Sequence, residues 1–152
     1  MKKLLCQSTS AGVTMAFGRK IAERLTCGGT ILLEGELGAG KTTFVQGLAK
    51  GLGMTRRLTS PTFALLNVYP LNHPVLQNLI HIDLYRLTTT DNLAALDINH
   101  WQTDAASLLI VEWPERVPNV WQNILGQIKF SAGADIALRQ LEISGTLVDL
   151  LQ

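Results

Sequence analysis

Apolar positions recur along this chain with two different periods, and the switches between them predict its elements. Val13, Phe17, Ile21 and Leu25 fall four residues apart, which puts them on one side of a helix over residues 10–26. Ser10 can cap its start and Gly28-Gly29 ends it. A short β-prone run over 30–33 follows and gives way at once to a glycine-rich turn. Helical spacing returns over 42–52, with Phe44, Val45, Leu48, Ala49 and Leu52 on one side and Gly53 closing the helix.

Further along, 63–69 and 79–85 read as strands separated by the loop Pro70-Leu71-Asn72-His73-Pro74. Residues 90–98 read as a short helix capped by Thr90. Leu108-Leu109-Ile110-Val111 is continuously aliphatic, as in a central strand covered on both faces. Two more strands, 124–130 and 137–143, read as a late antiparallel hairpin. No repeat, low-complexity tract or linker interrupts the sequence. Strands interleaved with helices predict an α/β, P-loop NTPase-like three-layer fold. Its central sheet is expected to be mostly parallel, with antiparallel additions, in a single domain over 1–152.

Composition adds limits. With 152 residues, 47% apolar and 16% charged, the chain has enough apolar material for a core and too little charge for disorder. A net charge of +1 gives no bulk attraction to nucleic acid or to a membrane. Lys2, Lys3, Arg19, Lys20 and Arg24 cluster early and read as a solvated face. No apolar run reaches the ~18 residues of a membrane span. The first residues lack a signal-peptide pattern, so a cytoplasmic protein is expected. Cys6 and Cys27 have no metal or redox spacing and are expected as reduced, buried thiols.

The chemistry begins at Gly35-Glu36-Leu37-Gly38-Ala39-Gly40-Lys41-Thr42, which fits G-x-x-x-x-G-K-[ST] at every fixed position. Glycines let the backbone N–H groups converge on phosphate oxygens, helped by the positive end of the next helix. Lys41 would bridge the β- and γ-phosphates, and the Thr42 hydroxyl would bind Mg2+. The loop follows an apolar strand and precedes an amphipathic helix, the context this chemistry needs. Such a site also needs a carboxylate at a strand end. Glu112 follows the purely aliphatic run and is assigned to the metal. Asp83 follows a run interrupted by His81 and is placed near the γ-phosphate, orienting the attacking water or the metal's outer shell. His81 itself reads as a packed strand residue.

Three more segments, Ser60-Pro61-Thr62-Phe63, His81-Ile82-Asp83-Leu84-Tyr85-Arg86-Leu87 and Glu112-Trp113-Pro114-Glu115, stand with the loop in an order and spacing that resemble the bacterial TsaE (YjeE) ATPases. The resemblance covers residues 10–145. It implies an ATPase of tRNA threonylcarbamoyladenosine biosynthesis, weak alone, using ATP and Mg2+ to drive cycling of the partner proteins TsaB and TsaD, with tRNA met only through that complex. Lys41, Asp83 and Glu112 match catalytic positions; Thr42 and Glu112 match the metal site. Thr43 and Thr62 match nucleotide contacts, and the segment Ser60 to Thr62 matches a switch sensing the terminal phosphate. Trp113 matches a tryptophan beside the site, and Arg139 an arginine near the nucleotide. The stretch Thr88-Thr89-Thr90-Asp91-Asn92 departs from an acidic, proline-containing one, and Glu36 stands where aspartate is also common.

Other classes share the loop. A small-molecule kinase would add an arginine-bearing lid, which this sequence does not show. A GTPase would carry N-K-x-D and D-x-x-G, both absent. A nucleotide-dependent binding module would keep the loop and never hydrolyse.

Overall fold

The aliphatic run at 108–111 lies at the centre of the molecule. The computed structural model, which describes residues 1–61, 64–87 and 91–152, places Ser107–Glu112 as strand β5, buried at every position. The chain order is β1 (Lys3–Ser8), α1 (Ala11–Arg24), β2 (Gly29–Gly35), α2 (Lys41–Gly51), β3 (Leu66–Pro70) and β4 (Asn78–Asp83). Then come α3 (Asp91–Ala94), α4 (Ile98–Thr103), β5, a 3-10 turn (Pro114–Arg116), β6 (Ile124–Ala132), β7 (Arg139–Gly145) and α5 (Leu147–Leu151).

The seven strands of the described residues share one sheet in the order β1-β7-β6-β2-β5-β4-β3. The junctions β6/β2, β2/β5 and β5/β4 are parallel; β1/β7, β7/β6 and β4/β3 are antiparallel. The sheet is therefore mixed: half its junctions are parallel, where the sequence reading expected most to be. The hairpin of β6 and β7 is present.

Alternation explains why the middle strands are apolar throughout. On β2, Ile31 and Leu33 join the core beneath α1 and α2, while Leu32 joins the opposite cluster with Ile98 of α4. On β5, Leu108 and Ile110 face the first cluster and Leu109 and Val111 the second. Fully burying each such side chain contributes about 1.5–3 kcal/mol, so a strand with two dry faces holds the sheet where a half-wet one could not.

Ser10 caps α1 as expected, its Oγ accepting from Val13 N at 3.2 Å. The packing of α1 on α2 departs from the expected aliphatic stripe. Gly18 and Gly47 bring the two backbones together, and a Cβ on Gly47 would stand 2.1 Å from Met15 O. Other corrections are local. The helix expected over 90–98 is two shorter pieces, because Asp97 takes φ 52° before α4 begins. Strand β7 starts at Arg139, not at 137, and β1 and α5 were not anticipated. Thr90 and Phe63 lie outside the described residues. Of the early basic group, Lys2 pairs with Asp149 at 2.6 Å and Lys20 donates to Leu151 O at 2.7 Å, fastening α5 to the N-terminal elements. Cys27 is exposed and Cys6 half-buried, both free thiols, so the expectation of two buried ones fails for Cys27. Among the described residues, no helix is long and apolar enough to cross a membrane.

Candidate functional site

Parallel strands β2, β5 and β4 end together, and their carboxyl ends carry the chemistry. Register sets Asp83 opposite Glu112 and Glu112 opposite Leu33, just before the glycine loop leaves β2. Open α/β sheets bind ligands outside such strand ends. Two further bonds continue the ladders past them: Trp113 N donates to Leu33 O at 3.2 Å, and Leu84 N donates to Glu112 O at 3.1 Å.

The loop from Gly35 to Gly40 turns through conformations that a side chain resists. Gly38 has φ 77° and Gly40, the residue before α2, has φ 105°. Lys41 follows as the first residue of α2, only 5% exposed. Its Nζ donates to Gly35 O at 2.5 Å and Glu36 O at 2.9 Å, and sits 4.4 Å from the Trp113 ring centre. Burial pushes the Lys41 amine below its ordinary pKa, while Glu112, Asp83, Glu115 and Glu36 act in the opposite direction. Trp113 holds this position with φ 61°, a left-handed conformation uncommon for a bulky residue, and its ring also packs 5.1 Å from Tyr85.

Thr42 Oγ1 donates to Glu112 at 3.1 Å to Oε1 and 3.3 Å to Oε2, and lies 3.1 Å from Ser60 Oγ. With the Thr42 proton directed to the carboxylate, Ser60 is the donor to Thr42. The loop helix, the aliphatic strand and the segment after α2 thus meet in one polar cluster. Glu112 is 3% exposed, and on its far side His81 Nε2 approaches Oε2 at 2.6 Å. Asp83 accepts from Tyr85 N at 3.0 Å; burial raises its carboxyl pKa and the Glu112 charge adds to this, against that hydrogen bond and the pull of His81 and Lys41.

A cleft of about 230 Å3 opens over these groups, lined by Gly38, Lys41, Thr42, Thr43, Ser60, Asp83, Glu112 and Trp113. On the other side of the loop, a second cleft of about 300 Å3 runs between Glu36 to Ala39 and the β6–β7 connection, with Arg139 in its wall. Leu37 and Gly38 border both. The Arg139 guanidinium donates to Ile136 O at 2.6 Å and Leu138 O at 3.1 Å, which holds that connection in shape.

The structure therefore brings together Lys41, Thr42, Thr43, Asp83 and Glu112. It sets Gly35 through Gly40 beside them, with Arg139 across the second cleft. Thr62 lies outside the described residues. His81 is the packed strand residue that the sequence implied, but sequence reasoning missed its contact with Glu112, which lies 31 positions away on the neighbouring strand. Among the described residues, no three His, Cys, Asp or Glu side chains form a metal cage of protein groups alone. A hydroxyl beside one buried carboxylate suits Mg2+, which takes few protein ligands and completes its shell with water and phosphate.

Residues 8–141 match the family model described as "Threonylcarbamoyl adenosine biosynthesis protein TsaE". The tRNA threonylcarbamoyladenosine biosynthesis protein TsaE of Synechocystis is 44% identical over 109 residues, 70% of this chain and 68% of the relative. The protein of that name from Treponema pallidum is 42% identical, over 74% of this chain and 79% of its own length. A crystal structure of Bacillus subtilis YdiB superposes with a TM-score of 0.76 at 26% identity, covering 99% of this chain and 92% of that one.

Proposed function

The chain belongs to the TsaE family of tRNA threonylcarbamoyladenosine biosynthesis, and on that premise we propose that it is the Mg2+-dependent ATPase of that machinery. In this reading it is a P-loop NTPase-like protein that hydrolyses ATP to drive cycling of a TsaB–TsaD complex. It meets tRNA only through that complex. The observation that supports it most is the hydrogen bond from Thr42 at the head of α2 to the buried Glu112 at the end of β5.

Each group has a task there. The turned loop from Gly35 to Gly40, ending at the head of α2, directs N–H groups at the phosphates. Lys41, whose amine rests on the Gly35 and Glu36 carbonyls, would pair its charge with the β- and γ-phosphates. Thr42 and Glu112 would hold Mg2+, which would supply neutralisation of the charge developing on the phosphates. Asp83, at the neighbouring strand end, orients the attacking water. Ser60 ties the segment after α2 to Thr42, so a ligand that claims the Thr42 oxygen also releases Ser60; Thr43 and Thr62 would serve as nucleotide contacts. The second cleft, with Leu37 and Arg139 in its lining, would take the base and ribose.

Calorimetric titration of ATP into the wild type and Lys41→Ala tests this reading. ATP binding that Mg2+ strengthens, and that weakens at least ~10-fold in the variant, is expected, since a charge-assisted phosphate contact is lost. Equal ATP affinity in both proteins would remove Lys41 from the site.

A further inference from the structure

Behind Glu112 sits a residue that the proposed function does not use. His81 is wholly buried on β4, flanked by Leu79, Ile80 and Ile82. Any of those apolar types would pack there without the cost of desolvating an imidazole. Its Nε2 lies 2.6 Å from Glu112 Oε2, and because a carboxylate only accepts, the ring donates from Nε2. Its Nδ1 is buried with no hydrogen-bond partner. Glu112 is thus the only polar group among the described residues that the ring satisfies.

The strands explain how the two meet. Register places His81 beside Ile110, and Glu112 follows Ile110 by two, on the same face of the sheet. From there the ring reaches the Glu112 oxygen that lies farther from Thr42, while the nearer oxygen stays 3.1 Å from the Thr42 hydroxyl. A carboxylate held from two sides cannot turn about its own axis.

We infer that His81 is a positioning residue whose Nε2–H locks the Glu112 carboxylate in the orientation that serves a divalent cation beside Thr42. The inference rests on the reading of Thr42 and Glu112 as the cation's ligands. Hydrogen bonds to a ligating carboxylate preset its geometry, and their removal costs about 10–100-fold in metal affinity or activity.

Two amides separate positioning from packing. The side-chain nitrogen of His81→Gln reaches to about the place of Nε2, whereas that of His81→Asn stops near Nδ1, short of Glu112. ATP binding is measured by calorimetry across a series of free Mg2+ concentrations and again in EDTA, with melting of the unliganded proteins as the check on fold. For His81→Asn, the half-saturating Mg2+ concentration should rise at least ~10-fold while binding in EDTA is unchanged; His81→Gln should recover most of the loss. An unchanged Mg2+ response in His81→Asn overturns the inference. So do equal losses, or loss of fold, in both variants, which would mark His81 as a packing residue. If wild-type ATP binding ignores Mg2+, the cation reading of Thr42 and Glu112 falls first and this inference with it.

Discussion

Replacing Gly47 with alanine adds one methyl group to a helix, a change that ordinarily helps. In an exposed helix interior it is worth about 1 kcal/mol. Here the new Cβ would stand 2.1 Å from Met15 O and 2.6 Å from its carbonyl carbon and Cα, against the 3.4 Å at which ordinary contact begins. The shortfall is 1.3 Å (3.4 minus 2.1), and the obstructing atoms are the backbone of α1, which cannot rotate aside. The helices must part, opening the packing around Phe44 and Ile21. Overpacking of this kind costs about 1–3 kcal/mol, with a backbone clash at the upper end. Subtracting the propensity gain leaves a net loss of about 2 kcal/mol, or about 4–8 °C in melting temperature for a chain of this size. Gly12→Ala is the matched control. Its Cβ meets only Ser10 Oγ at 3.7 Å, so the same substitution should leave stability equal or higher. Thermal unfolding followed by circular dichroism reads both. A Gly47→Ala protein as stable as the wild type, or two variants shifted the same way, would refute the close-packed helix pair.

Glu112→Gln keeps the size and hydrogen-bonding reach of the side chain but removes its charge. It should cost at most about 1 kcal/mol of stability while weakening Mg2+-dependent ATP binding at least ~10-fold and sparing binding in EDTA, as calorimetry would report. Loss of Mg2+ dependence in Asp83→Asn but not in Glu112→Gln would reverse the roles of the two acids. Asp104 accepts from Ser107 Oγ at 2.5 Å and Ala106 N at 3.0 Å, and these bonds hold its carboxyl below the usual range. A depressed folded-state pKa means that its stabilisation is present above the unfolded value and is lost as pH falls through the folded one. Asp104→Asn should therefore lose about 1 kcal/mol or less at neutral pH, after allowance for solvent screening, and converge on the wild type in acid melts.

What the sequence revealed was what consecutive residues carry. The glycine loop is eight adjacent positions, and β5 announces its two dry faces as an unbroken aliphatic run. The Ser10 cap is local too. Strand order is not local: β1 is an edge strand whose partner, β7, lies at the other end of the chain, and its alternately exposed residues include Lys3 and Leu5. The split of the helix expected over 90–98 depends on a positive φ at Asp97, a non-glycine residue that gives little warning. His81 read as a packed strand residue from its apolar neighbours, and it is one. Only the register of β4 on β5 shows that it faces Glu112. Gly47 likewise reads as a weak point in α2 until Met15 of α1 is placed against it.

The most direct test is phosphate release from ATP by this chain, alone and with TsaB and TsaD, in the presence and absence of Mg2+. Release should be slow for the chain alone, rise when both partners are added, require Mg2+, and disappear in Glu112→Gln. Release that stays at background with all components present would contradict the ATPase and leave a nucleotide-dependent binding protein in its place.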